Sequence, residues 1–212
     1  MSLLMGSTRA YYGVHAGDWA DLRRTYYSDA VADLILQRAA PGKLLDVGCG
    51  PGFLLTKAIA SPRFPRVFGA DFSNSMITLL KARFENGHKL HLRLADARRL
   101  PFTDASFDSV VSNMVLHHLA EPWTGLAEMA RVTRPGGRVV FSDLRPHGYT
   151  YFRDDMADAW LGFEEGDVRR WMAEAGLTEV QVEDAGTLTA TIVNGSVKTA
   201  EVHVFVATGT RA

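Results

Sequence analysis

The chain of 212 residues holds a single cysteine, Cys49. One thiol excludes an intramolecular disulfide framework and a zinc site built from several thiolates. No sign of charge prevails: 23 Lys and Arg stand against 24 Asp and Glu, for a formal net charge of −1. No global basic field therefore draws the protein toward nucleic acid or an anionic membrane. No apolar run approaches the ~20 residues that span a bilayer. The opening MSLLMGSTRA lacks the basic start and hydrophobic stretch of a leader segment. Repeats, linkers and low-complexity tracts are missing too. What remains is an ordinary globular balance, 47% hydrophobic and 22% charged, in a chain long enough to bury a sizeable core. The expectation is a cytoplasmic protein of one domain, with no membrane partner.

From Lys43 onward, short apolar runs alternate with helical patterns. KLLDV (43–47), RVFGA (66–70), LHLRLA (90–95), FDSVVS (107–112) and RVVFSD (138–143) read as strands. FLLTKAIAS (53–61), SNSMITLLKARFE (73–85) and WTGLAEMARVT (123–133) read as helices between them. Such alternation predicts a mostly parallel sheet covered by helices on both faces. The ends depart from it. Residues 8–40 look helical and carry four of the six tyrosines, so residues 1–40 are expected to form a helical cap on a domain of residues 41–212. Near the other end, EEGDVRRWMAEAGL (164–177) reads as a helix. It leads to strand candidates TEVQVED (178–184) and EVHVFVATG (201–209), joined by a connection whose Asn194-Gly195 pair favours a tight turn.

Gly48, Gly50 and Gly52 follow the first strand at alternate positions. In open α/β sheets, ligands bind beyond the carboxyl ends of the strands, and glycine lets backbone turn sharply and approach closely. The spacing G-x-G-x-G differs from the dinucleotide fingerprint G-x-G-x-x-G, which aims a helix N-terminus at a pyrophosphate. Asp46, two residues before the first glycine, suits a ligand with an amino group or positive charge. Asp71 ends the second strand, where an acid accepts hydrogen bonds from both hydroxyls of a ribose. Asp96 lies just past the third strand, suited to an adenine amino group, with the Ala97 N–H placed for a ring nitrogen. Together these acids describe a nucleoside pocket with a zwitterionic tail. A plain strand–helix turn and three chance loop acids are the bland alternative.

The segments LLDVGCGPG, GADFSNSM, ADARRLPF, FDSVVSNMVLHHL and RPGGRVVFSD resemble, in order and spacing over residues 43–143, the successive motifs of class I S-adenosylmethionine-dependent methyltransferases. The resemblance implies a Rossmann-like sheet of seven strands with the last one antiparallel. It also implies that Asp46, Gly48, Cys49, Gly50 and Gly52 line the methionine end of S-adenosyl-L-methionine. Asp71 and Ser73 would sit at the ribose, Asp96 and Ala97 at the adenine edge, and Phe72 and Met76 against its ring. Asn113, Met114 and His118 would complete the cofactor site, with S-adenosyl-L-homocysteine as product. More loosely, the two flanks resemble the methyltransferase domain fused to ArsR-type winged-helix repressors.

Methyl transfer from a sulfonium is an in-line displacement, so the protein mainly has to align a nucleophile about 3 Å from the methyl carbon. A base is needed only if the acceptor arrives protonated. His118, and after it His117, are the candidates, because histidine titrates near neutral pH. Tyr12, Trp19 and Asp143 are the candidate acceptor-pocket residues. No metal is expected, since adjacent His117 and His118 on a helix point in different directions. Trp160, Phe163 and Trp171 read as core. Asn113-Met114-Val115-Leu116 departs from the Asn/Asp-Pro-Pro-aromatic motif of amino-methylating nucleic-acid enzymes, and a lone cysteine cannot serve arsenic methylation. A small organic acceptor is the expected partner, with the chain a monomer or homodimer. A non-catalytic cofactor-binding module and a NAD-dependent oxidoreductase are the competing functions.

Overall fold

The computed structural model describes residues 28–84, 89–193 and 197–212, with the side chains of 190–197 left aside. The expected N-terminal cap falls largely on residues 1–27, and Tyr12 and Trp19 with it, outside the described residues. The Asn194-Gly195 turn lies outside them too. Seven strands run β1 (Lys43–Val47), β2 (Arg66–Asp71), β3 (Leu90–Leu94), β4 (Phe107–Asn113), β5 (Thr133–Leu144), β6 (Leu177–Val193) and β7 (Val197–Arg211). The helices are α1 (Asp29–Arg38), α2 (Phe53–Ala60), α3 (Asn74–Arg83), α4 (Pro122–Val132), α5 (Phe152–Asp155) and α6 (Glu165–Glu174).

The strands lie in the order β3-β2-β1-β4-β5-β7-β6. Pairs from β3 through β5 are parallel, and β7 runs antiparallel between β5 and β6. This is the mostly parallel seven-stranded sheet, with an antiparallel last strand, that the family resemblance implies. The β-branched and leucine runs of the central strands face helices on both sides. Leu44, Val111 and Val140 join α1 and α2 residues such as Ile35 and Leu55 in one core. Leu45, Val110 and Val139 join Leu126, Met129 and Trp171 in the other. Trp160, Phe163 and Trp171 stack edge to face or tilted in that second core, as expected.

Strand order reverses between β1 and β4. A crevice opens at such a point, at the carboxyl ends of both strands. The glycine turn leaves β1 there, and the His117–His118 segment leaves β4 there. Two boundaries differ from the sequence reading. RPGG belongs to β5, which pairs Phe107 with Thr133 and shifts register before Ser109 pairs with Arg138. The 185–200 connection is mostly strand, because Thr187, Thr189 and Thr191 alternate with Leu188, Ala190 and Ile192 at the two-residue period of a pleat. As Leu144 pairs with Val204, the part of β7 before Val204 projects beyond the carboxyl end of β5 as a two-stranded arm. Among the described residues no helix is long and apolar enough to cross a membrane.

Candidate active site

The turn after β1 folds its own amides inward. Gly48 and Cys49 N–H both donate to the Ala70 carbonyl, at 2.8 and 3.1 Å, and Gly52 N–H donates to Cys49 O at 2.9 Å. Gly50 N–H donates to Asp71 Oδ2 at 2.8 Å. A phosphate cradle needs those donors turned outward, and this turn has committed them to the sheet. Gly48 has φ +70°, and a Cβ there would collide with Val115 Cγ2 on the segment leaving β4. Glycine is thus what lets the two loops of the crevice meet.

Acids stand at the ends of the three adjacent strands. Asp46 is 2% exposed. Burial first, then the charge of Asp71, hold its carboxyl well above the usual range, and among the described residues nothing donates a hydrogen bond to it. Asp71 accepts from Gly50 N–H and, at 2.8 Å through Oδ1, from Ser73 N–H, so it ties the turn to the start of α3. Ser73 caps that helix through Met76 N–H at 3.4 Å. Met76 itself is 1% exposed, inside the first turn of α3, while Phe72 is half-buried.

Asp96 is where the sequence put it but has a partner the sequence reading missed. Arg98 donates from Nε at 3.0 Å and from Nη2 at 2.6 Å to its two oxygens, and from its backbone N–H at 2.9 Å. The Arg98 guanidinium holds the Asp96 carboxyl below its usual range. The Ala97 N–H donates to no described residue, and remains oriented by the tight Asp96–Arg99 bridge. The Cys49 thiol is buried, and its pKa is pushed up by that burial and by Asp71 and Asp46. Its sulfur lies against Gly69 on β2.

On the β4 side, Met114 adopts φ +58°, a left-handed conformation costing about 1–3 kcal/mol for a non-glycine residue. Its N–H donates to Ser142 O at 3.1 Å, and the Ser142 hydroxyl donates to Asn113 Oδ1 at 2.6 Å. The next residues form a short 3₁₀ turn, Leu116–His118. The adjacent imidazoles do not diverge as expected of an α-helix: their centroids lie 4.1 Å apart, because the turn is tight and both rings lean toward one acid. That acid is Asp158, with Oδ1 3.3 Å from His118 Nδ1 and 3.7 Å from His117 Nε2. Ala157 before it again has φ +58°. The Ala159 and Trp160 amides both donate to His117 O at 3.0 Å, which pins the two segments together.

Asp143, expected at the acceptor pocket, is fully buried. It sits behind His117 and accepts from His117 Nδ1 at 2.7 Å, Leu144 N–H at 2.8 Å and Leu116 N–H at 3.1 Å. An acceptor there fixes the Nδ1–H tautomer of His117 and leaves Nε2 toward Asp158. Nearby His147 has a buried Nε2 without a hydrogen-bond partner among the described residues, and burial lowers its pKa.

Residues 45–141 match the family model described as a methyltransferase domain. The chain is 35% identical over 143 residues to an O-methyltransferase of Penicillium expansum, covering 62% of this chain and 51% of that one. It is 34% identical over 147 residues to the malonyl-(acyl-carrier protein) O-methyltransferase of Hahella chejuensis, covering 69% and 51%. The chain belongs to the class I methyltransferases. It spans about half the length of these two curated relatives. The methyltransferase fold also matches Haemonchus contortus phosphoethanolamine N-methyltransferase 2, solved in complex with S-adenosyl-L-methionine. The TM-score is 0.72 at 14% identity, over 95% of this chain and 57% of that one.

Within this methyltransferase chain, the sequence reading missed Arg98, His147 and Asp158. Arg98 carries a local signal, two residues after an acid in a loop. Asp158 carries none: it lies 40 residues beyond His118, in a segment without periodicity, and only the folded chain brings it there.

Proposed function

We propose that this chain transfers the methyl group of S-adenosyl-L-methionine to a small organic acceptor. The observation that carries the reading is the crevice itself: acids at the ends of β1, β2 and β3, beside a glycine turn whose amides are already used. A site that offers acids and withholds N–H donors suits a cationic zwitterion with a nucleoside, and disfavours a pyrophosphate. When bound, the sulfonium supplies a methyl group already activated by its charge.

The residues divide the work by position. Asp46 attracts the ammonium of the amino-acid tail, and the backbone of Gly48, Cys49, Gly50 and Gly52 packs against that tail. Asp71 accepts from the ribose hydroxyls. Asp96, oriented by Arg98, receives the adenine amino group, and Ala97 N–H meets a ring nitrogen. Phe72 and Met76 border the ring, and Asn113 and Met114 shape the exit of β4. The acceptor arrives against His117, His118 and Asp158, and that group manages the proton an acceptor hydroxyl or amine must lose. Asp143 acts through His117 as a positioning residue. The expected setting is the cytoplasm, with the chain a monomer or homodimer and no nucleic-acid partner, consistent with its net charge of −1.

The test is transfer of isotope-labelled methyl from S-adenosyl-L-methionine to a panel of small hydroxyl, amine and carbon acids. Turnover is expected with at least one class, falling roughly 10²–10⁴-fold in His118→Ala. Cofactor binding without transfer to any of them would favour the non-catalytic binding module instead.

A further inference from the structure

Three potential ligand groups converge beyond the carboxyl ends of β4 and β5, His117, His118 and Asp158, each with one ligand atom within 4.8 Å of the others, and His118 Nδ1 also lies 3.4 Å from the Ala157 carbonyl. Their side chains are 5%, 10% and 2% exposed. We propose that His117, His118 and Asp158 bind a divalent transition-metal ion of the zinc type. Its role at the acceptor position rests on the methyltransferase reading; the binding itself does not.

The donor chemistry points to such an ion. Imidazole nitrogen with carboxylate oxygen suits zinc and its neighbours, and two histidines with one carboxylate leave a coordination position open. The spacing agrees. Bonds of about 2.0–2.1 Å in a tetrahedral site place ligand atoms roughly 3.3 Å apart. Two of the three separations here are 3.3 and 3.7 Å.

The surroundings agree as well. The Asp143 carboxylate can only accept, so the 2.7 Å contact puts the proton on His117 Nδ1. His117 Nε2 then presents a lone pair toward the Asp158 carboxylate. A lone pair facing a carboxylate in a buried site repels it unless a proton or a metal ion lies between them. A carboxylate behind a ligating imidazole is the outer-shell arrangement that fixes the ring and raises its basicity. The same Asp143 is anchored by the Leu116 and Leu144 amides, so the ring that would ligate is held before any ion arrives. Two kinds of bridge can satisfy this geometry, a proton carried by an imidazole, the neutral His118 Nδ1–H included, or a metal ion. A divalent ion at the open position also lowers the pKa of an acceptor hydroxyl, which states how the group manages the acceptor's proton.

Chelator-treated protein titrated with Co²⁺ separates the two. The expected result is one Co²⁺ per chain, with the strong visible bands of a tetrahedral site and displacement by Zn²⁺. Asp158→Asn should weaken binding on the order of 100-fold, since loss of even an outer-shell partner costs about 10–100-fold. The exposed His203→Ala should change nothing. If melting shows Asp158→Asn to be unfolded, His118→Ala in the same titration decides. Absent bands, or bands equal in wild type, Asp158→Asn and His118→Ala, overturn the metal site and assign the geometry to a shared proton. S-adenosylhomocysteine binding is measured on the same samples. Binding it without Co²⁺ overturns only the ion site, whereas Co²⁺ binding without it overturns the methyltransferase reading and leaves the ion site standing.

Discussion

Asp46 is an acid in a place that disfavours charge, with burial and Asp71 raising its carboxyl pKa. A raised folded pKa favours the native state at low pH, and that contribution is lost as pH climbs from the unfolded value near ~3.9 through the raised one. An ammonium beside Asp46 favours the ionised form, so cofactor binding must expel the proton that burial retains. The affinity for S-adenosylhomocysteine is expected to strengthen with rising pH across that window. Calorimetry in buffers of different ionisation enthalpy should show net proton release. A pH-independent affinity with no proton exchange would place Asp46 away from the ligand's charge. Asp71 makes a second residue-level prediction. Asp71→Ala removes the ribose contacts and strands Gly50 N–H, hydrogen bonds to a charged acceptor worth roughly 1.5–3 kcal/mol each. Equilibrium binding should weaken on the order of 100-fold; unchanged affinity would reduce Asp71 to an anchor for the turn. The three acids were legible in the sequence because each lies at or just beside the end of a strand, and strand ends are set by local pattern. The Arg98 clasp on Asp96 and the approach of Asp158 were not, since side-chain pairing across loops leaves no periodic trace.

The Leu116–His118 turn and the β6–β7 arm show what tertiary packing adds to elements. Sequence pattern gives β4 and its exit but not the tight turn that sets two imidazoles 4.1 Å apart; that follows from Asp143 and from the Ala159 and Trp160 amides closing on His117 O. Asp143→Asn puts an amide N–H₂ where only an acceptor fits. The expected loss is about 1–3 kcal/mol, the cost of leaving buried polar groups unsatisfied, read as a shift of the urea midpoint at constant slope. A loss below about 0.5 kcal/mol would mean the turn holds without its acid. The arm was read as a connection because its Thr-rich alternation is half polar. In the fold its apolar face, Leu188, Ala200 and Val202, packs with Ile35, Phe152 and Met156, and Lys198 reaches Asp155 at 2.6 Å. Leu188→Ala should cost roughly 2–4 kcal/mol and leave S-adenosylhomocysteine affinity unchanged, because the arm lies on the β5 side and the glycine turn on β1. A matching loss of affinity would instead tie the arm to the cofactor crevice.

For the molecule as a whole, the order β3-β2-β1-β4-β5-β7-β6 decides where chemistry can occur. The reversal between β1 and β4 brings the acidic, glycine-lined half and the histidine-lined half to one crevice. The alternation of strands and helices made the parallel sheet predictable from the chain alone, and the motif order made its ligand predictable. The grouping of His117, His118 and Asp158 depends on contacts between segments far apart in sequence, which is why it became visible only in the fold. The central claim is that the glycine turn holds the tail of a sulfonium cofactor and not a pyrophosphate. Thermal unfolding with S-adenosylhomocysteine and, separately, with NAD tests it most directly. Ligand at about a hundred times its dissociation constant adds roughly 2.7 kcal/mol, a rise of roughly 5–10 °C for a domain of this size. That rise is expected with S-adenosylhomocysteine and not with NAD; a rise with NAD alone, or with neither, would rule out a sulfonium cofactor at the turn.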